Sequence, residues 1–496
     1  MTESTNPGAA TVATAGAELS DADRFVPNVL ADRYASAEMR AAWSPTTKVR
    51  LERDLWLAVL AAQRELGVGV PGGALDAYAA VRDEVDLDSI RARERITRHD
   101  VKARIEEFNA LAGFELVHLG MTSRDLTENV EQAQTRGALR LVRARAVALV
   151  ARLAERALEL DAVVVAARTH NVAAQPTTMG KRLASIGEEV LYAVGRIDDL
   201  IERYPLRGLK GAVGTQQDQL DLLEGDAAKV DTLEAAVAHH LGFRSVQTAV
   251  GQVYPRSLDF DVVAALLLCA AGPGNLALLV RLMAGNELAT EGFQEGQVGS
   301  SAMPHKMNTR SSERINGMVN LLRGHVAMAA QLVGDQWNEG DVSCSVVRRV
   351  VLPDAFFTLD GLFETTFQVI GEFGVHEAMV SAELDRYLPF LASTKLLIAG
   401  VKAGLGREQA HHLVREHALA AARQMRSEGS VKNDLAARLG ADPAYPLDQA
   451  AIGAVISGMR DEVGRAHEQV ATFCRRAGEL VATDPLAARY RGAGVL

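Results

Sequence analysis

Apolar residues recur at three- and four-residue steps through Val142, Ala146, Leu149, Leu153, Ala157 and Leu160, and again through Leu183, Ile186, Val190, Val194, Ile197 and Ile201. This spacing lines each set along one side of a helix and predicts the seams of a bundle. From Arg33 to about Gly113 the pattern breaks into shorter helices with charged faces. After about Gly371 it shortens again, with breaks at Gly404, Gly429, Gly440 and Pro443. No alternation of period two is long enough for a substantial sheet, and no internal repeat stands out. The predicted fold is all-α in three helical domains: 25–114, a long central bundle over 115–371, and 372–496, behind a disordered extension at 1–24.

One run changes the picture. Val262 to Val280 carries no charge and is long enough to suggest a membrane span. Gly272-Pro273-Gly274-Asn275 interrupts it, so the expectation is a buried helix pair or a kinked helix inside the bundle, with no membrane partner. The composition is 48% hydrophobic but only 5% aromatic, which favours helices over a sandwich or barrel. A formal charge of −10 argues against a general nucleic-acid surface, so an anionic ligand has to be met by local basic clusters. Cys269, Cys344 and Cys474 lack metal-type spacing and suit a reducing cytoplasm. The first two dozen residues have neither a basic start nor an apolar block and do not read as a signal peptide.

The candidate chemistry centres on Gly296 to Arg314, a stretch with two glycines, adjacent serines and a proline between two helical patterns. Gly296 and Gly299 let a ligand approach the main chain. Pro304 suits the first turn of a helix running through Asn308, Arg314 and Leu321, whose free N–H groups would attract an anion, with Lys306 adding a full charge. Ser300 and Ser301 supply hydroxyls. On these properties alone the stretch is either a plain connection or a loop built to hold a carboxylate beside proton chemistry. His170, in Ala167-Arg-Thr-His-Asn-Val-Ala-Ala-Gln-Pro-Thr-Thr178, ends one helical pattern and precedes the next. It is either a helix-end cap or a general acid or base.

Gly299-Ser-Ser-Ala-Met-Pro-His-Lys-Met-Asn308 resembles the signature loop of the fumarase/aspartase superfamily. Its Ala-Met-Pro-His-Lys form looks like that of the adenylosuccinate lyase family, in particular its actinobacterial members, and the resemblance runs from about Val26 to the C-terminal region. It implies elimination of fumarate from a succinyl-amino nucleotide, adenylosuccinate giving AMP and SAICAR giving AICAR, with no cofactor and no metal. It further implies Ser300 as base and His170 as acid, with Lys306 and Asn308 stabilising the developing charge; Thr169, Gln175, Pro176, Thr177 and Thr178 match the motif around His170. Ser301 and Met303 of the loop, Thr122 and Ser123, and the nucleotide-facing run Arg98-His99-Asp100 fall on substrate-contact positions, as do Arg33, Tyr34, Gln216, Arg314, Ser345 and Arg349. Two departures stand out: Gly340 replaces an Arg that many relatives carry three residues after the Trp, and Lys306-Met-Asn-Thr309 replaces Lys-Arg-Asn-Pro.

As bare sequence, Thr97-Arg98-His99-Asp100 is also a surface charge cluster, and His118-Leu-Gly-Met-Thr-Ser-Arg-Asp125 is also a helix start capped by Asp125 or Ser123. Gly67-Val-Gly-Val-Pro-Gly72 fits a dinucleotide string but opens no strand–helix unit. The pairs His239-His240 and His411-His412 point to different helix faces and make poor metal sites. Cys344 has no thiolate-stabilising neighbour in sequence. The competing functions are a carboxymuconate cycloisomerase, which shares much of the loop, and a non-catalytic protein on the same bundle. If Thr127 to Ala167 is nearly one helix, its ends lie roughly 60 Å apart. Thr122 and His170 then serve one pocket only across neighbouring chains, which agrees with the homotetramer and shared sites that the resemblance implies.

Overall fold

The computed structural model describes residues 26–292, 302–303, 305–429 and 432–494. Five long helices make its centre: Ser123–Glu159, Met179–Arg203, Ser257–Gly285, Arg310–Ala330 and Ser343–Glu372. The seam residues meet as the spacing predicts, with Val142, Ala146, Leu149, Leu153, Leu183, Val190, Val194 and Ile197 all buried in one apolar core. Burial of such a stripe stabilises by about 1.5–3 kcal/mol for each large side chain.

The uncharged run lies in a single helix, Ser257–Gly285, with Pro273 inside it. Gly272 allows a close crossing, since a Cβ there would meet Val190 Cγ2 at 2.6 Å. Among the described residues this is the one helix long and apolar enough to cross a membrane, and Val262, Leu266, Leu276 and Val280 on it are buried within the bundle.

Two smaller apolar clusters flank the bundle. Trp56, Tyr78 and Phe108 anchor one, beneath which Arg53 donates to both oxygens of Glu107 at 2.6 and 2.8 Å. Leu384, Leu396, Leu439 and Ile452 form the other.

The structure differs from the helical pattern at one place that matters. The long central helix stops at Glu159, and residues up to Thr178 form an antiparallel hairpin, Val164–Thr169 with Val172–Thr178. The β-branched run Val163–Val165 and Pro176 oppose helix here, and Ala166 docks into the Leu384–Ile452 cluster. A second short pair joins Ala289–Thr290 to Gly374–Val375. The GxGxxG string lies in the turn between Pro45–Glu65 and Ala74–Ala80 and opens no strand.

Candidate active site

Thr122, in extended conformation, caps the Ser123–Glu159 helix, and its N–H donates to Asp125 Oδ2 at 2.8 Å. Asp125 is therefore the capping-box partner rather than the cap. Its other oxygen accepts from Arg207 Nη1 at 2.7 Å and from the N–H groups of Lys210 and Gly211 at 2.9 and 3.0 Å. One buried carboxylate thus ties the Thr122–Ser123 turn to the loop before Gly214. That loop is tight: at Gly214, with φ +88°, a Cβ would meet Val250 O at 2.2 Å. Gln216, also left-handed at φ +58°, turns its amide inward to Leu209 O at 3.0 Å.

The Arg98-His99-Asp100 run joins this turn. Arg98 closes the Leu87–Thr97 helix in a left-handed conformation, and His99 caps Asp100–Ala112 by accepting the Lys102 N–H on Nδ1 at 3.3 Å. A neutral ring in that role carries its proton on Nε2, which lies 3.4 Å from Ser123 Oγ. Asp100 pairs with Arg104 at 3.0 Å, and Arg104 reaches the buried Glu52 at 2.7 Å. Burial pushes the Glu52 carboxyl up to about 7. His118, given no role from sequence, accepts the Trp56 indole N–H at 3.0 Å, and burial pushes its imidazole down to about 4, against the pull of Asp125.

A second group gathers along Ser343–Glu372. Arg33 ends the short helix Val29–Arg33, and Tyr34 follows it, pressed against Gly361, where a Cβ would meet its side chain at 2.6 Å. The Arg314 guanidinium lies 5.5 Å from the Tyr34 ring centre. Ser345 and Arg349 line a cavity of about 140 Å³ with Trp43, Lys48, Glu131 and Arg348. Behind it, Arg348 donates to Asp259 and Glu131, both at 2.7 Å, while Arg256 grips Glu128 at 2.8 and 3.0 Å. Burial works to raise the Glu131 carboxyl, but Arg348 and Lys48 outweigh it and hold the group at about 2.

Of the signature loop, Met303, Lys306 and Asn308 are described, whereas Ser300, Ser301, Gly296, Gly299 and Pro304 lie outside the described residues. The helix expected after Pro304 starts only at Arg310. Two of its first-turn N–H groups are taken by the protein itself: Glu291 accepts from Ser311 N–H at 3.0 Å and Ser312 N–H at 2.9 Å, and from Ser312 Oγ at 2.8 Å. Asn308 lines a cavity of about 250 Å³ with Glu287, Glu291, His305 and His376. Glu291→Ala is expected to lower stability by about 1.5–3 kcal/mol, the range for charged hydrogen bonds, read as an earlier urea midpoint.

His170 lies elsewhere. With Asn171 it forms the two-residue turn of the hairpin, both at positive φ (53° and 61°), the conformation of a type I′ turn. It is exposed, beyond the far end of a helix that places Thr122 about 55 Å from Glu159 at 1.5 Å per residue. Six strand residues span at most about 20 Å, so His170 and Ser123 of one chain share no pocket. Near it Asn171, Thr177, Lys181 and Arg182 line a cavity of about 530 Å³. Among the described residues no His/Cys/Asp/Glu group has the geometry to hold a metal ion.

The family model described as "Lyase" matches residues 47–324, and that described as "Adenylosuccinate lyase C-terminus" matches residues 389–473. The chain is 33% identical over 456 residues to adenylosuccinate lyase of Saccharomyces cerevisiae and 32% over 454 residues to that of Schistosoma mansoni, in each case over 90% of this chain and 93% of the relative. The Bacillus subtilis adenylosuccinate lyase is 30% identical, over 79% of this chain and 88% of its own length. In fold the chain is similar to the 3-carboxy-cis,cis-muconate lactonizing enzyme of Pseudomonas putida, with a TM-score of 0.77 and 21% identity over 91% of this chain and 99% of that one. It is similar too to a fumarate lyase from Mesorhizobium sp. BNC1, with a TM-score of 0.75 and 20% identity over 89% and 98%. On the sequence matches, the chain belongs to the adenylosuccinate lyase family.

Proposed function

We propose that the chain eliminates fumarate from adenylosuccinate, giving AMP, and from SAICAR, giving AICAR, in the cytoplasm, with active sites shared among the chains of a homotetramer. The observation that carries the reading is one continuous helix separating His170 from the Thr122–Ser123 turn, in a chain whose near full-length relatives are adenylosuccinate lyases. An antiparallel neighbour brings its own hairpin beside that turn. Exposed apolar side chains at helical spacing on three bundle helices support the association: Leu278 and Leu282, Leu321 and Met328, Val346 and Val350.

In this reading Ser300 removes the proton on the carbon next to a carboxylate of the succinyl arm, and negative charge moves onto that carboxylate. Lys306 and Asn308 stabilise it, helped by Ser301 and Met303 of the same loop. His170 protonates the departing nitrogen. Thr122 and Ser123 hold the second carboxylate; with His99 donating from Nε2 to its oxygen, Ser123 keeps its own hydroxyl proton for the substrate. Arg98, Asp100, Arg33, Tyr34, Gln216, Arg314, Ser345 and Arg349 hold the nucleotide part. Three helical divisions, 25–114, 115–371 and 372–496, belong to the same proposal. All three cysteines are free, which suits a reducing compartment.

The expected result with purified protein is loss of the adenylosuccinate ultraviolet band, release of fumarate from both succinyl-amino nucleotides, and a tetramer in light scattering. A monomer with full activity removes the shared site. An assembly inert toward both compounds returns the chain to the non-catalytic reading.

A further inference from the structure

The segment that carries Arg33 and Tyr34 is pinned to one side of the Ser343–Glu372 helix. Asn28, the cap of Val29–Arg33, donates from Nδ2 to Asp354 Oδ1 at 2.7 Å. Trp43, which closes Ala37–Ala42, packs its ring 5.4 Å from that of Phe356. Between these two anchors the Ser36 N–H donates to Asp360 Oδ2 at 2.5 Å. Tyr34 lies so close to Gly361 that a Cβ there would also meet its carbonyl oxygen at 3.0 Å. Ser345 and Arg349 stand on the same helix, so one rigid element fixes both groups of proposed nucleotide contacts.

An acid is a costly anchor at this place. Asp360 is buried, and so is Glu364 one turn on. Burial pushes the Asp360 carboxyl up to about 6 against the pull of Ser36, with Glu364 adding to the rise and Arg145 opposing it. No tight ion pair offsets the cost. Arg145 Nε is 4.0 Å from Asp360 and 3.7 Å from Glu364 and has no hydrogen-bond partner among the described residues. The Arg145 guanidinium lies over the Tyr490 ring and reaches Glu38 from Nη2 at 3.4 Å. Glu364 has partners of its own, the Tyr490 hydroxyl and the Ala493 N–H. For packing alone, an apolar side chain of similar volume would serve at lower cost. The charge of Asp360 is directed instead at the main chain two residues after Tyr34.

We propose that Asp360 is a positioning residue: by gripping the Ser36 N–H it holds Tyr34 in the orientation that receives the nucleotide part of the substrate. The proposal rests on the lyase reading above and extends it to a residue that acts only through its neighbour.

Steady-state rates with adenylosuccinate on the full-length protein test it. Asp360→Ala is expected to raise KM at least about tenfold and to leave kcat within about twofold, the loss of one charged hydrogen bond. Asp360→Asn, whose amide oxygen still accepts the Ser36 N–H, is expected to stay within about threefold of the wild-type KM. The decisive measurement is the double variant: in a Tyr34→Ala background, Asp360→Ala adds less than about twofold to KM. A full tenfold increment there, an unchanged KM in Asp360→Ala, or a fall in kcat at constant KM overturns the proposal. An Asp360→Asn as poor as Asp360→Ala overturns it too, and so does a lower melting temperature with KM unmoved, which marks a structural contact only. Ser36→Pro removes the donor at a φ of −64° that proline accepts, and it carries the test if Asp360→Ala does not fold. Wild-type protein that turns over no succinyl-amino nucleotide removes the parent reading alone. Calorimetry with AMP then decides: binding to wild type that is lost in Asp360→Ala and kept in Asp360→Asn upholds the positioning role, and equal or absent binding sinks it.

Discussion

His170→Ala is expected to turn over adenylosuccinate at least about a hundredfold more slowly than the wild type, at an unchanged melting temperature. The imidazole sits at the tip of a hairpin and makes no hydrogen bond among the described residues, so its removal takes nothing from the fold. Ser300→Ala is expected to lose as much, since the proposal makes Ser300 the base that removes the carbon proton. The sharper measurement is a mixture. His99→Ala damages the Ser123 end of the central helix and His170→Ala the opposite end, so co-refolded chains assemble some sites from two intact ends. Activity above that of either parent is the expected outcome. A mixture no better than its parents means that both ends belong to one chain's site, contrary to the length of the helix.

Arg207→Met is expected to destabilise the protein by about 3–5 kcal/mol, the range for removing one partner of a buried ion pair. Arg207 and Asp125 are both essentially without exposure, and the carboxylate left behind keeps only its main-chain donors. Arg207 also donates to Gly211 O and Gly251 O at 3.1 and 3.0 Å, so three loops loosen together. Urea unfolding followed by helical signal reads the loss as an earlier first transition. Asp125→Asn, which keeps an acceptor for the same donors, is expected to fall between the two. Equal midpoints for wild type and Arg207→Met would falsify the role given to this pair.

The long bundle was legible because its apolar seams repeat over several turns, and the Gly299–Asn308 stretch because ten consecutive residues carry a recognisable pattern. What escaped depended on partners distant in the chain. The hairpin that bears His170 has Ala-rich strands of six and seven residues, too short for a period-two signal, and its turn uses His-Asn where glycine would have marked it. The start of the Arg310–Ala330 helix is set by Glu291, about twenty residues earlier, and no local rule reports a cap from that distance. Asp125 looked like a local cap because its strongest partner, Arg207, is 82 residues away. The cavity that Trp43 and Lys48 share with Ser345 and Arg349 exists only in three dimensions.

The rod from Ser123 to Glu159 acts as a ruler. Deleting one residue anywhere along it would shorten it by only about 1.5 Å but would twist one end against the other by roughly 100°. On the shared-site proposal the hairpin would then face away from the neighbouring chain, although none of the proposed reacting groups had been touched. On that proposal a change of length in this segment is best tolerated in steps near seven residues, which return both ends to nearly the same face.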